Sequence, residues 1–193
     1  MDALTQLKQF ITAIHPLPEE ELKALTSVWS PLAAKRKEMI TRPGEPEHDL
    51  YFVTEGVQRV YYYDEAGREA TLVFTYAPSF GGVIDSMLLQ QPSRYYYETL
   101  TPSAFLRTPF IEIQKLMLRY PSVTALIQKG TAQALSGVLQ RLAELQCFSS
   151  EEKFRSLLQR SPHILQLVPH KYLANYLGMD ATNFSKFINR IRI

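Results

Sequence analysis

Between Met39 and Thr108 no apolar run is long enough to be a helix, because turn residues cut each one short. The runs LYFVT, VQRVYYY, ATLVFTY, YYYETL and AFLRT are rich in β-branched and aromatic residues, and PGEPEHD, EG, DEAGRE, APSFGG and TPS separate them. Short strands with turns at such close intervals fit an antiparallel sandwich or barrel. The DEAGRE connection predicts a hairpin between VQRVYYY and ATLVFTY. Side chains alternate across a sheet, so Tyr61 and Tyr63 face opposite to Tyr62, and Tyr95 and Tyr97 opposite to Tyr96. Most of these rings read as core or sheet surface.

Helical spacing flanks this region on both sides. Leu4, Leu7, Ile11 and Ile14 recur at three and four residues and predict a helix over 2–14, closed by the His15, Pro16, Leu17, Pro18 loop. A second short helix points Leu22, Leu25 and Val28 inward. Beyond the strands, Phe110, Ile113, Leu116 and Met117 mark a helix that stops at Tyr120 and Pro121. No proline follows until after Phe148, and Ile127, Leu135, Val138, Leu142 and Leu145 form a stripe whose later steps are three, four and three. A seam of that kind is covered either by the chain's own β-domain or by the same helix of a second copy. The length of the run favours the symmetric dimer. Ser149 or Ser150, with Glu152 or Lys153, is placed to cap a further helix through Leu158.

The last stretch, VPHKYLANYLGMDATNFSKFINRIRI, reads as two short helices around a tight turn. Tyr172, Leu173, Tyr176 and Leu177 supply an apolar stripe after Pro169, and Gly178 ends that helix because glycine tolerates the left-handed conformation that turns the chain. Asp180 is the expected N-cap of the next helix. There Phe184, Ile188 and Ile191 fall on one side with Phe187 at the flank, leaving Thr182, Ser185, Lys186 and Asn189 on the other. Such a unit either packs as a plain helical hairpin or presents its polar face to a DNA groove. Charge favours the groove. Residues 151–193 hold seven Lys or Arg against three acids, whereas the remaining chain holds 14 against 16, so the net +2 conceals a basic end. On this reading Thr182, Ser185, Lys186 and Asn189 meet base edges, with Lys171 and Arg190 nearer phosphates.

Other function classes find little support. A composition of 46% hydrophobic and 21% charged residues argues against disorder, and no apolar run is long enough to span a bilayer. The N-terminal MDALTQLKQFITAIHPLP lacks the form of a signal peptide, which predicts a cytoplasmic protein. Cys147 is the sole cysteine, so an internal disulfide and a four-thiolate cluster are excluded. His15, His48, His163 and His170 are scattered with no partner at ligand spacing, so no metal and no cofactor is expected. Neither a nucleophile elbow nor a Walker loop is present, and Asp64 with Glu65 reads as turn chemistry; catalysis is not expected.

Taken in order, a helical cap, a glycine-punctuated β region, a long helix and a terminal helix-turn-helix resemble the Crp/Fnr family of bacterial transcription regulators. The resemblance covers nearly the whole chain and rests most on KYLANYLGMDATNFSKFINRI and FGGVIDSMLLQQPSR. It implies an α+β fold: an antiparallel β-roll of the cyclic-nucleotide-binding type over 1–120, a dimerisation helix over 121–148, and a helix-turn-helix domain over 149–193. It also implies a homodimer on two-fold symmetric DNA, without membrane attachment, and an effector of undetermined chemistry. The alternative is a ligand-sensing or partner-binding roll that does not bind DNA.

FGGVIDSMLLQQPSR sits where the family keeps its phosphate cassette, in which Phe-Gly-Glu leads into a short helix and an Arg followed by Ser or Thr. Phe80, Gly81 and Arg94 match, but Gly82 replaces the ribose-binding Glu and Tyr95 the small hydroxyl residue. The resemblance thus assigns an anion site to the backbone amides of Gly81, Gly82, Val83 and Ile84 with Arg94, and predicts that cyclic AMP and cyclic GMP are not bound. Asp85 is the candidate to replace the lost acceptor, Tyr95 is expected to intrude on the phosphate position, and Arg94 is alternatively a plain surface side chain. In the second helix of the terminal pair, Ala181, Thr182 and Lys186 stand where the family often has Arg or Glu early and Arg one turn later, so the target sequence does not follow.

Overall fold

The computed structural model describes residues 2–190. They form two compact units, one built from residues up to Val60 together with Phe74–Gln133, the other from Tyr61–Val73 together with the chain from Ala134 onward. The division falls inside the long helix, between Gln133 and Ala134. That helix changes partners along its length: Val123 and Leu126 are buried in the apolar core of the first unit, whereas Arg141 and Glu144 are its buried residues in the second.

In the first unit α1 (Ala3–Ile14) starts at Asp2, whose carboxylate accepts from the Thr5 N–H at 2.9 Å. Leu7 and Ile11 are buried as expected, but Leu4 at the first turn stays exposed. After α2 (Glu19–Ser27) come β1 (Ser30–Ala34), β2 (Met39–Thr41), β3 (Asp49–Glu55), β4 (Val57–Tyr63), β5 (Glu69–Tyr76) and β6 (Ser79–Gly81). A short α3 (Ile84–Leu89) precedes β7 (Tyr96–Thr99) and β8 (Ser103–Pro109), and α4 (Phe110–Arg119) leads into α5 (Pro121–Cys147). The strands form two four-stranded sheets, ordered β1-β8-β3-β6 and β2-β7-β4-β5. The β1–β8, β8–β3, β3–β6 and β2–β7 pairings are antiparallel. The expected β-roll is therefore present, with one strand more at its start: β1 begins at Ser30, ahead of Met39. Pro31 conceals it, and its place at a sheet edge is where a strand tolerates a missing N–H.

Two apolar clusters hold this unit. One joins α1, α2, α4 and the start of α5 to the outer face of β3 and β8 through Leu7, Ile11, Leu25, Phe52, Leu106 and Ile113. Trp29 lies in the same cluster, stacked on Phe80 at 6.0 Å. The other fills the roll, where Tyr51, Val53, Val60, Val83, Tyr97 and Phe105 meet.

The second unit contains the β4–β5 hairpin tip, the later half of α5, and α6 (Ser150–Arg160), α7 (Ile164–Leu167), α8 (His170–Tyr176) and α9 (Ala181–Arg190). DEAGRE makes the predicted turn, closed by Gly67 N–H to Asp64 O at 3.0 Å and Asp64 N–H to Arg68 O at 3.1 Å. Tyr61 is buried while Tyr62 and Tyr63 are exposed. Ser149 and Glu152 form a reciprocal capping box at the start of α6. Phe154, Leu157, Ile164, Val168, Leu173, Leu177 and Phe184 are buried here. The short α7 had no signal in the sequence: four residues are too few to show a period.

Candidate DNA interface and the interior of the roll

The turn between α8 and α9 is set by backbone geometry that glycine makes accessible. Gly178, at φ +63°, donates its N–H to Asn175 O at 3.0 Å, and Met179 donates to Ala174 O at 3.0 Å, which together close α8 with paired C-terminal bonds. Asp180 Oδ1 then accepts from the Asn183 N–H at 2.8 Å and starts α9 as its N-cap. Phe184 is consequently directed inward, edge-on to Phe154 at 5.4 Å, while Phe187 stacks on Phe154 at 5.9 Å. Thr182, Ser185, Lys186 and Asn189 are exposed. The Ser185 hydroxyl donates back to Ala181 O at 2.9 Å, leaving its oxygen free to accept. Lys171 is exposed too, with its ammonium 4.6 Å from the centre of the Tyr172 ring. Ile191 and the side chain of Arg190 lie outside the described residues.

Two side chains that sequence reasoning did not single out hold the end of α8. Asn175 accepts from the Thr71 N–H at 2.6 Å and donates to Glu69 O at 2.7 Å, so its amide pairs with strand β5 as a neighbouring strand would. Arg141 donates to Tyr176 O and lies 4.2 Å over the Tyr176 ring. Burial lowers its pKa. Next to it Glu144 accepts from Ser156 Oγ at 2.8 Å and from Arg160 Nη2 at 3.0 Å. Burial alone would raise the Glu144 pKa; the bonds from Arg160 and Ser156 outweigh it and leave the carboxyl below its ordinary value. A lone Arg and Glu within a helical run carry no sequence signal that distinguishes such a network from a solvated face.

On α5 the candidate seam divides. Leu135, Val138, Leu142 and Leu145 are 57%, 53%, 49% and 38% exposed, and Leu139 beside them 56%. Ile127 differs: it packs against the core of the first unit.

Inside the roll, Gly81, Gly82 and Val83 lie together at the end of β6, and the six residues of α3 follow. A Cβ on Gly81 would collide with the Tyr97 hydroxyl. That same phenol lies 3.0 Å from Thr75 Oγ1. Thr75 in turn donates to Gln58 at 2.9 Å. Glu47 is 4% exposed and accepts from the Thr41 hydroxyl, from the Asp49 N–H at 3.2 Å and from the Tyr51 hydroxyl at 3.4 Å. Burial pushes the carboxyl of Glu47 up, and pushes the phenols of Tyr51 and Tyr97 up as well.

At the expected anion site Gly81, Gly82 and Val83 are buried. Arg94 is exposed, Tyr95 packs half-buried against the inner cluster, Ile84 is half-buried, and Asp85 points to solvent. The Tyr97 hydroxyl presses on the cassette at Gly81, and the Glu47 N–H donates to Ser86 Oγ in α3 at 2.9 Å. Among the described residues no group of three or more His, Cys, Asp or Glu is arranged to hold a metal ion, and no helix is long and apolar enough to cross a membrane.

Residues 31–120 match the family model of the cyclic nucleotide-binding domain. The chain has the Crp/Fnr fold. Over 169 residues it is 26% identical to the global nitrogen regulator of Synechocystis sp., covering 81% of this chain and 75% of that protein. Among solved structures, FixK2 from Bradyrhizobium japonicum superposes with a TM-score of 0.78 at 16% identity, over 85% of this chain and 84% of that one. The catabolite activator protein of Thermus thermophilus gives 0.59 at 21% identity, over 91% and 84%. At these identities the structures speak for the shared fold.

Proposed function

We propose that the chain is a DNA-binding regulator of transcription that acts as a two-fold dimer in the cytoplasm, without catalysis, and does not respond to cyclic AMP or cyclic GMP. The outer face of α9 carries this reading: Thr182, Ser185, Lys186 and Asn189 are open to solvent above the buried Phe184. A capped helix with hydroxyl, amide and ammonium groups outward supplies the donors and acceptors that base edges require. Lys171 and Lys186 add phosphate-directed charge, and either lysine serves a guanine edge about as well as a phosphate. The relative from Synechocystis sp. is named a regulator, which agrees.

Dimerisation rests on α5. Each large apolar side chain in the exposed stripe gains about 1.5–3 kcal/mol when buried, and a second copy of the same helix is the self-complementary surface that covers four or five of them together. For the roll, the filled interior supports insensitivity to cyclic nucleotides, since the buried Tyr97 hydroxyl lies against Gly81. DNA binding is then constitutive with respect to these nucleotides. A mobility-shift titration on genomic fragments, with and without cyclic AMP, tests the reading. A shift of equal affinity in both conditions is expected. Absence of any shift selects the partner-binding alternative, and a shift only with cyclic AMP removes the claim about the roll.

A further inference from the structure

The turn that carries the reading helix α9 is gripped on two sides by side chains that lie off its reading face. We propose that Arg141 and Asn175 are positioning residues that fix the reading head on α5 and β5, and thereby set the spacing at which a dimer accepts two half-sites. The proposal rests on the two-fold reading of DNA put forward above.

All the parts lie in the second unit. A helix ends with carbonyls that find no partner inside it, and at the end of α8 the turn supplies donors for two of them. Ala174 O accepts from the Met179 N–H at 3.0 Å and Asn175 O from the Gly178 N–H at 3.0 Å. The next carbonyl, on Tyr176, takes its donor from another element, the guanidinium of Arg141 in α5. Arg141 is 7% exposed, and its charge sits where it complements the negative end of α8. Leu145, one turn further along α5, meets the same turn: a Cβ on Gly178 would lie 3.3 Å from its Cδ2. Leu142 of the exposed stripe stands between them in the chain, so the helix that offers a seam to a second copy also grips the reading head. On the other side, Asn175 Oδ1 accepts from the Thr71 N–H at 2.6 Å and Nδ2 donates to Glu69 O at 2.7 Å. A donor and an acceptor two residues apart on β5 are what a further strand would pair with, and β5 is the edge of its sheet. A carboxamide satisfies both at once. The two grips hold adjacent residues just ahead of Gly178, so a head free to swing about one is stopped by the other. In a dimer joined through α5, the two heads then keep one separation and one orientation.

The test uses the whole chain and the genomic fragment with two half-sites that the wild type protects. Two derivatives accompany it, one with two base pairs inserted between the half-sites and one with a single half-site left. The insertion turns one half-site by about 70° around the DNA axis. The wild type is expected to lose affinity roughly tenfold on insertion, because its second head no longer reaches its half-site. In Asn175→Ala and Arg141→Met that loss is expected to shrink to about threefold or less, while affinity for the single half-site stays that of the wild type. Asn175→Asp, which keeps only the acceptor for the Thr71 N–H, is expected to fall between, and Arg141→Lys serves where Arg141→Met does not fold. An insertion penalty equal to the wild type's, or a parallel loss at the single half-site, overturns the proposal. A second measurement needs no DNA. Spin labels at Ala181→Cys, in a Cys147→Ser background, are expected to give one narrow distance between the heads of the dimer and a broad distribution once Asn175→Ala is added. Equal widths overturn the proposal and leave the dimeric reading standing. Absence of dipolar coupling without Asn175→Ala, or of any protected fragment, overturns that reading and the proposal with it.

Discussion

Lys186 is the residue whose role separates most simply from its neighbours. It is exposed on α9 with no acid on the same face, so its replacement removes charge without disturbing Phe184 behind it. If it neutralises one phosphate, Lys186→Ala flattens the dependence of log affinity on log salt by about one unit, measured by titrations at several salt concentrations. An unchanged slope and affinity would take it out of the interface. Gly81 offers the opposite kind of test. A Cβ there meets the Tyr97 hydroxyl, which Thr75 holds in place, so Gly81→Ala is expected to destabilise the first unit by about 1–3 kcal/mol in denaturant unfolding followed by Trp29 fluorescence. Two carboxylates give opposite pH trends. Glu144 is lowered from 4.5, so the stability it contributes is present above that value and lost as pH falls through its folded pKa. Glu47 is raised from 4.5, so its burial is most favourable when protonated and the penalty appears as pH rises through its folded value. Protection factors of α8 amides, with the intrinsic pH dependence of exchange divided out, should therefore fall on acidification, and Glu144→Gln should remove part of that response. Protection factors that are flat with pH would contradict the Glu144 assignment.

Among the elements, α5 and the α8–α9 pair were legible in the sequence for the same reason. Helical spacing is local, and Leu135, Val138, Leu142 and Leu145 announce a stripe just as Phe184 and Ile188 announce a buried side. What spacing does not reveal is which neighbour covers each residue. Ile127 sits in the same sequence stripe yet faces the core of the first unit, and Pro31 hides a strand that only its partner β8 makes visible. Replacing Val138 and Leu142 with Glu should give monomers by light scattering while leaving the fold intact, because both side chains are about half exposed in one copy. A monomeric wild type at micromolar concentration would refute the seam. Asn175 is the second element-scale test. Its amide makes two bonds to the backbone of β5, each contributing about 0.5–1.5 kcal/mol, so Asn175→Ala should raise exchange at the Thr71 amide selectively. Protection unchanged at Thr71 would mean that α8 is held to β5 by other contacts.

For the molecule as a whole, the order of modules was legible, and the contents of the roll were not. The cassette segment could be recognised by Phe80 and Gly81, but its neighbours arrive from Glu47 and Tyr97, 39 and 16 residues away from Ser86 and Gly81 in the chain. Such pairings leave no periodic trace, and Tyr97 read simply as one ring of a triplet. The central claim remains that a dimer of this chain reads two-fold DNA through α9 without a cyclic nucleotide. Footprinting on genomic fragments, including the region upstream of its own gene, addresses it directly. The account predicts protection of two half-sites about one helical turn apart in the absence of cyclic AMP, weakened by Lys186→Ala. Protection of a single half-site, protection only when cyclic AMP is added, or none at all would contradict it.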